Sequence, residues 1–184
     1  MASILISPPA AEPLTLEEAK LFLRLDSSDE DALVSALIAA ARGHVEAATG
    51  RALIHQGWRV FRDGWPSRRI VRLPRAPLAS VDAVTVYDAD GAAELLDAAL
   101  YSADGATAPA RLVVSDEAPE PGLSVNGVAI DITAGYGASA ADVPQPLRLA
   151  VRRLVAHWYE RRETEGSIPP NVAALLAPYR IVSL

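Results

Sequence analysis

At 184 residues, with 51% hydrophobic and 22% charged residues, the chain is long enough and apolar enough to fold as one domain or two small ones. Its formal net charge of −6 gives no overall attraction for phosphate backbones, which argues against a primary nucleic-acid binder. The absence of cysteine excludes disulfides, thiolate catalysis and cysteine metal sites.

Met1 to Pro13 has no basic stretch of the signal-peptide kind. The longest apolar run, Ala32 to Ala41, is interrupted by Ser35 and is too short to span a bilayer. These features predict a soluble protein made in the cytoplasm, with no membrane partner. Thr15 and Glu18 form a capping box, after which Leu16, Ala19, Phe22 and Leu23 recur at helical spacing. A second helix is predicted from Ser28 and Asp29, with Asp29, Glu30 and Asp31 at the positive end of its dipole. Its expected apolar stripe is Leu33, Leu37, Ala40, Ala41, His44, Val45 and Ala48, and Gly50 suits its C-terminal cap.

From about residue 51 the pattern changes to short alternating runs punctuated by proline and glycine. Trp58 and Val60, then Ile70 and Arg72, suggest early strands. Val84 and Val86 lead into a tight turn at Asp90-Gly91, and Arg111 to Val114 is another short strand. Val128, Ile130 and Ile132 form the clearest alternation in the chain. Helical character returns at Asp142, a candidate cap, with Pro144 in the first turn and Leu147, Val151, Leu154, Val155 and Trp158 on one face. Pro169-Pro170 stops that region, and a short helix is expected near Asn171 to Leu176.

The resulting fold class is α+β. N- and C-terminal helices (1–50 and 142–184) make a helical bundle, and 51–141 is an inserted, small β-rich domain. Charge separates within the insertion. Arg51 to Arg75 holds seven arginines and one acid, whereas Asp88 to Asp131 holds nine acids and one arginine. One reading is a solvated surface. The other is complementarity between neighbouring copies, with Arg62, Arg68, Arg69 and Arg72 facing Asp88, Asp90, Asp116 and Glu117.

No catalytic constellation is legible, and no cofactor is expected. His44, His55 and His157 have no metal-ligand spacing, and His44 falls within a helical apolar stripe. Ser139 lacks the second glycine of a nucleophile elbow. Gly135, Gly137 and Ala140 loosely match a dinucleotide fingerprint, but the second parallel strand that motif needs is replaced by a helical stretch. Thr133 to Gly137 looks like a potassium filter without the membrane helices to hold one. In Asp88-Ala89-Asp90-Gly91 the glycine comes too early for a calcium loop, so the segment reads as a hairpin turn.

A family resemblance is carried by the order of several segments: Leu14 to Lys20, Leu23 to Asp26, Asp29 to Asp31, and the alanine-rich helix ending Thr49-Gly50-Arg51. Leu73 to Leu78, Ser80-Val81, Ala134 to Gly137, Asp142 to Pro144 and Ala156 to Arg162 continue it. In these the chain resembles tailed-phage head–tail connector (adaptor) proteins, of the subgroup with a β insertion found in phages, prophages and gene transfer agents. The resemblance implies a ring, usually of twelve copies, beneath the portal protein. Such a ring extends the DNA channel without gripping the duplex and offers a platform for stopper or tail-completion proteins. It also implies a C-terminal segment that enters the portal, here Leu176, Pro178, Tyr179, Arg180 and Ile181. Equally, Leu175, Leu176 and Tyr179 can simply close the helical core. Another connector-region protein (a stopper or tail-completion factor) and a small anion-binding domain using the arginines of 51–75 stand as alternatives.

Overall fold

The computed structural model describes residues 2–161 and 168–181. It forms two compact units: residues 2–9 with 55–135, and residues 10–54 with 136–181. The fold is α+β, with four α-helices and two antiparallel sheets among the described residues.

In the helical unit, α1 is Leu16–Leu23, α2 Asp31–Thr49, α3 Gln145–Arg161 and α4 Pro170–Leu176. The capping box of α1 is formed: the Glu18 N–H donates to Thr15 Oγ1, and the Thr15 N–H donates to Glu18 Oε2, 3.1 Å each. At the far end of α2, Gly50 adopts φ 73°, the left-handed turn that glycine accepts without steric cost, and its N–H closes on the Glu46 carbonyl. Val34, Leu37, Ile38, Ala41 and Val45 of α2 are buried in one cluster with Leu147, Ala150, Val151, Leu154 and Val155 of α3. The i, i+3, i+4, i+7 spacing on both helices produces this seam. Each fully buried aliphatic side chain contributes about 1.5–3 kcal/mol relative to exposure.

The stripe of α2 is therefore shifted from the expected one. Leu33 and Ala40 are exposed, and Val34 and Ile38 take the inner positions. One residue is about 100° of helix rotation, so a short apolar alphabet rich in alanine leaves the phase to be set by packing. Phe22 is likewise exposed, with the Arg152 guanidinium 5.6 Å from its ring centroid. Asp142 caps a turn of its own instead of α3: its Oδ2 accepts from the N–H and Oγ of Ser139. The Pro144 carbonyl receives the first helical bonds of α3, from the Leu147 and Arg148 N–H groups.

The second unit has a five-stranded sheet. β1 is Ala2–Ser7, β2 Gln56–Arg62, β4 Leu78–Tyr87, β5 Ala93–Leu95 and β8 Val128–Ala134, in the order β1-β2-β8-β4-β5. A three-stranded sheet, β3 (Ile70–Arg72), β7 (Arg111–Val114) and β6 (Tyr101–Asp104), is ordered β3-β7-β6. All pairs are antiparallel. One apolar cluster draws on both sheets: Val60, Val84, Val128, Ile130 and Ile132 from the larger, Val71, Leu112 and Val114 from the smaller. β8, fully paired to β2 and β4, is the central strand, and its alternating Val128, Ile130 and Ile132 point into that cluster.

Residues 2–7 correct the expectation that everything before residue 50 is helical bundle. They pair with β2, so the sheet unit combines an N-terminal strand with the segment 55–135. Ile4, Leu5 and Ile6 run consecutively, without the alternation that marks a strand in sequence. β5 and β6 have no sequence signal of their own either, being three and four residues long and mostly exposed. The segment Asp88 to Gly91 is a turn, with the Asp90 and Ala92 N–H groups donating to Asp88 Oδ1. β8 has only antiparallel neighbours, so the dinucleotide lookalike has no parallel βαβ unit around it.

Candidate functional site

The helical unit holds its polar groups in local clasps. Arg148 donates to the Pro13 carbonyl (3.0 Å) and to Glu18 Oε1 (2.7 Å). The Thr15 N–H, with Arg148 beside it, holds the Glu18 carboxyl below the usual glutamate range. Glu46, buried, accepts from the Leu53 N–H (2.8 Å) and from Arg42 Nη1 (3.0 Å), while Arg42 Nε reaches Glu12 at 2.8 Å. Burial opposes the charge on Arg42, but its bonds to Glu12 and Glu46 outweigh that and raise its pKa. His44 packs edge-on to Trp158, 5.6 Å between ring centroids, which makes it a packing residue. Among the described residues no group of three His, Asp or Glu side chains is placed to hold a metal ion.

The C-terminal candidates separate by burial. Leu176 is fully buried among α2, α3 and α4 residues. Ala177–Tyr179 forms a 3₁₀ turn, and the Tyr179 carbonyl accepts from Arg51 Nε at 2.7 Å. The Ile181 N–H donates to the Thr49 carbonyl at 2.9 Å, and the Ile181 side chain lies over Gly50. Burial raises the Tyr136 hydroxyl pKa, against the opposing pull of nearby Arg51. Tyr179 and Ile181 are thus half-buried anchors, while Pro178 and Arg180 are exposed. Residues 182–184 lie outside the described residues.

The charged candidates of the sheet unit are divided in the same way. Arg69 is mostly buried: Nη1 donates to the Ser115 and Ala118 carbonyls (3.0 Å each), and its other nitrogens meet Glu120 and Asp116. Arg69 and Asp116 therefore come together within one chain. Arg59 makes a bidentate pair with Asp131, 2.7 Å on each arm, which raises the Arg59 pKa. Arg75 lies 4.2 Å over the Trp58 ring. Arg62 is half-buried, and Arg68 and Arg72 are exposed, as are Asp88, Asp90 and Glu117. Part of the charge separation read from sequence is consequently resolved inside the chain.

Surfaces that the sequence reading did not single out are apolar. Ile4, Leu5 and Ile6 are exposed on β1, and Leu21 and Phe22 on α1. For Ile4 to Ile6 and Leu21 the available signal is large apolar residues lying outside any predicted stripe, whereas Phe22 falls within the helical spacing of α1 and has none. Among the described residues no helix is long and apolar enough to cross a membrane.

Residues 2–7 and 177–181 are pinned, many ions are paired within the chain, and the exposed apolar residues are left as surface for interfaces. Comparison with known proteins makes the class specific. Head completion proteins match residues 12–182, and the chain belongs to that family. It is a head–tail connector protein of phage-like particles. A chain in the virion of a native gene transfer agent (GTA) particle is 29% identical, with a TM-score of 0.83, covering 100% of this chain and 97% of that one. A chain in the neck of an empty GTA particle computed with C6 symmetry is 32% identical with the same TM-score and coverage. In the neck of a native GTA particle computed with C12 symmetry, a third is 29% identical with a TM-score of 0.82. No curated protein matches the chain.

Proposed function

We propose that this chain is the adaptor subunit of a twelve-membered ring seated below the portal protein, joining the head to the tail and extending the channel through which DNA passes. The observation that carries this reading is likeness over the full chain to neck chains of a particle computed with cyclic symmetry. A cyclic ring is assembled head to tail, so each copy must present two different, complementary faces. The exposed basic residues Arg68 and Arg72 and the exposed acids Asp90 and Glu117 supply opposite charges for such faces. A net charge of −6 gives the subunit no overall attraction for phosphate, which suits a channel through which the duplex passes without specific binding. The subunit acts by holding its neighbours and catalyses no reaction.

The portal contact is assigned to the exposed end of the C-terminal segment. Leu176, Tyr179 and Ile181 anchor that segment, and Pro178 and Arg180 are left to meet the partner. Arginine and aromatic side chains are common anchors of protein interfaces. The tail-side partner is a stopper or tail-completion protein.

Electron microscopy of particles from a strain lacking the gene tests the function. Separate heads and free tails are expected, whereas intact tailed particles would end the connector reading. In complemented particles, the position of the ring separates an adaptor, against the portal, from a stopper further down. For the portal contact, Arg180→Glu should fold normally and lose capture by the portal protein; undiminished capture would refute that assignment.

A further inference from the structure

β1 is the outermost strand of the larger sheet: it pairs with β2 on one side and with no strand among the described residues on the other. Its register sets Ile4 opposite Arg59 and Leu5 opposite Trp58, so these two side chains project on opposite faces of the sheet. Ile6 sits at the irregularity between Leu5 and Ser7, with its Cγ1 against Gly57. Ile4, Leu5 and Ile6 are 49%, 46% and 48% exposed. Apart from that irregularity the edge carries no blunting feature, because Ala2–Ser7 contains no charged residue and no proline. Edge strands of free-standing proteins ordinarily carry such features, since an open apolar edge invites association.

We infer that this edge is a subunit–subunit face of the ring, covered by a neighbouring copy of the same chain; the inference rests on the ring reading above. Three observations favour a second copy. The related necks are computed with sixfold and twelvefold symmetry, so each subunit of such a ring has like neighbours on both sides. The strand is uncharged, so a neighbour can cover it without stranding a buried ion. The opposite edge, β5, is flanked by exposed Asp88, Asp90 and Glu94, so the two edges differ in chemistry, as the two faces of a head-to-tail ring do.

The geometry also says how the neighbour sits. Adjacent strands rotate by about 20–25°, so five strands turn on the order of 100° from one copy to the next if the sheet simply continued. A sixth or a twelfth of a turn relates copies in the related necks, which is well short of that. The neighbour therefore packs side chains onto Ile4, Leu5 and Ile6 and does not extend the sheet by its own edge strand.

The test places photoreactive benzoylphenylalanine at Ile4 and, separately, at Ile6 of the full chain, and irradiates assembled particles. Covalent multimers in steps of the 19.4 kDa chain are expected, with the cross-linked peptides both from this chain. Adducts to any other protein, or substituted chains retained in particles without cross-links at either position, would overturn the inference. Amide exchange of residues 3–7 in the unsubstituted chain should be slower in particles than in the free protein. Unchanged exchange would overturn it even where substituted chains fail to assemble. Copy number per particle, from quantitative mass spectrometry, separates the two readings. Six or twelve copies without β1 contacts would end this inference alone, and a single copy would end the ring as well.

Discussion

Arg51 and Tyr179 are joined across 128 positions of sequence: the Arg51 guanidinium, just past the end of α2, donates to the carbonyl of Tyr179 at 2.7 Å. The bond ties the 3₁₀ turn Ala177–Tyr179 to the first residues after α2. Arg51→Met keeps much of the side-chain volume and removes the donor. It should lower stability on the order of 1–2 kcal/mol in urea unfolding. It should also speed amide exchange at Ile181, whose bond to Thr49 depends on the same pinning. Exchange at Ile181 as slow as in the unsubstituted chain would show the segment to be held by its apolar contacts alone.

Truncation follows the same geometry. Removing Pro178 to Leu184 deletes the Tyr179 and Ile181 anchors together with the exposed residues, so it should lower stability as well as attachment. Ending the chain after Ile181 retains both anchors and should unfold at a higher urea midpoint than that truncation. Equal stability of the two truncated forms would show that the anchors contribute nothing.

Glu46 is the buried acceptor that joins α2 to the segment after it. Glu46→Ala leaves the Leu53 N–H without its acceptor and Arg42 with Glu12 alone, a loss of about 2–4 kcal/mol. Glu46→Gln keeps an acceptor oxygen and should lose roughly half as much. Chemical denaturation with an unchanged m-value checks both, and a neutral Glu46→Ala would show Leu53 to be satisfied in another way.

Glu18 gives the helical unit an acid-sensitive component. Its carboxyl pKa is depressed in the folded chain by the Thr15 N–H and by Arg148. The folded state therefore binds fewer protons than the unfolded one. The Glu18 contribution is present above the unfolded glutamate pKa and is lost as pH falls through the lower folded value. Glu18→Gln should flatten that part of the stability–pH profile while keeping the helix. An unchanged acid limb would place the sensitivity elsewhere.

Gly122 lies against the backbone of the β4–β5 turn. A Cβ there would fall 2.2 Å from the Ala89 nitrogen, and its own N–H donates to the Tyr87 carbonyl. Gly122→Ala must push main chain apart and should cost about 1–3 kcal/mol. Limited proteolysis across 119–127 should become faster, and resistance equal to that of the unsubstituted chain would show that the loop shifts freely.

Much of the helical unit was legible because its signals are local. Thr15 and Glu18 are three residues apart, and that spacing alone lets each satisfy the other's backbone donor. Gly50 marks the end of α2 for the same kind of reason. The family resemblance was legible through the order of such segments along the chain. The candidate surfaces were less so: Leu176 looked as suitable for a partner as for the core, and Arg69 looked like a surface charge. Only the fold packs Leu176 inside and closes Arg69 on the Ser115 and Ala118 carbonyls.

By itself, then, the sequence determined the helices, the alternation of β8, the α+β class and the kind of assembly the chain joins. The helices, the β8 alternation and the class follow from propensity, periodicity and capping, which act over a few residues; the assembly is implied by the family resemblance that the order of segments carries. The tertiary structure alone decided that residues 2–7 form a sheet edge, that Arg59 meets Asp131, and that Arg51 holds Tyr179. Pairings of that range depend on which backbones are brought within a hydrogen bond's reach. No local pattern encodes that distance, and packing of the whole chain sets it.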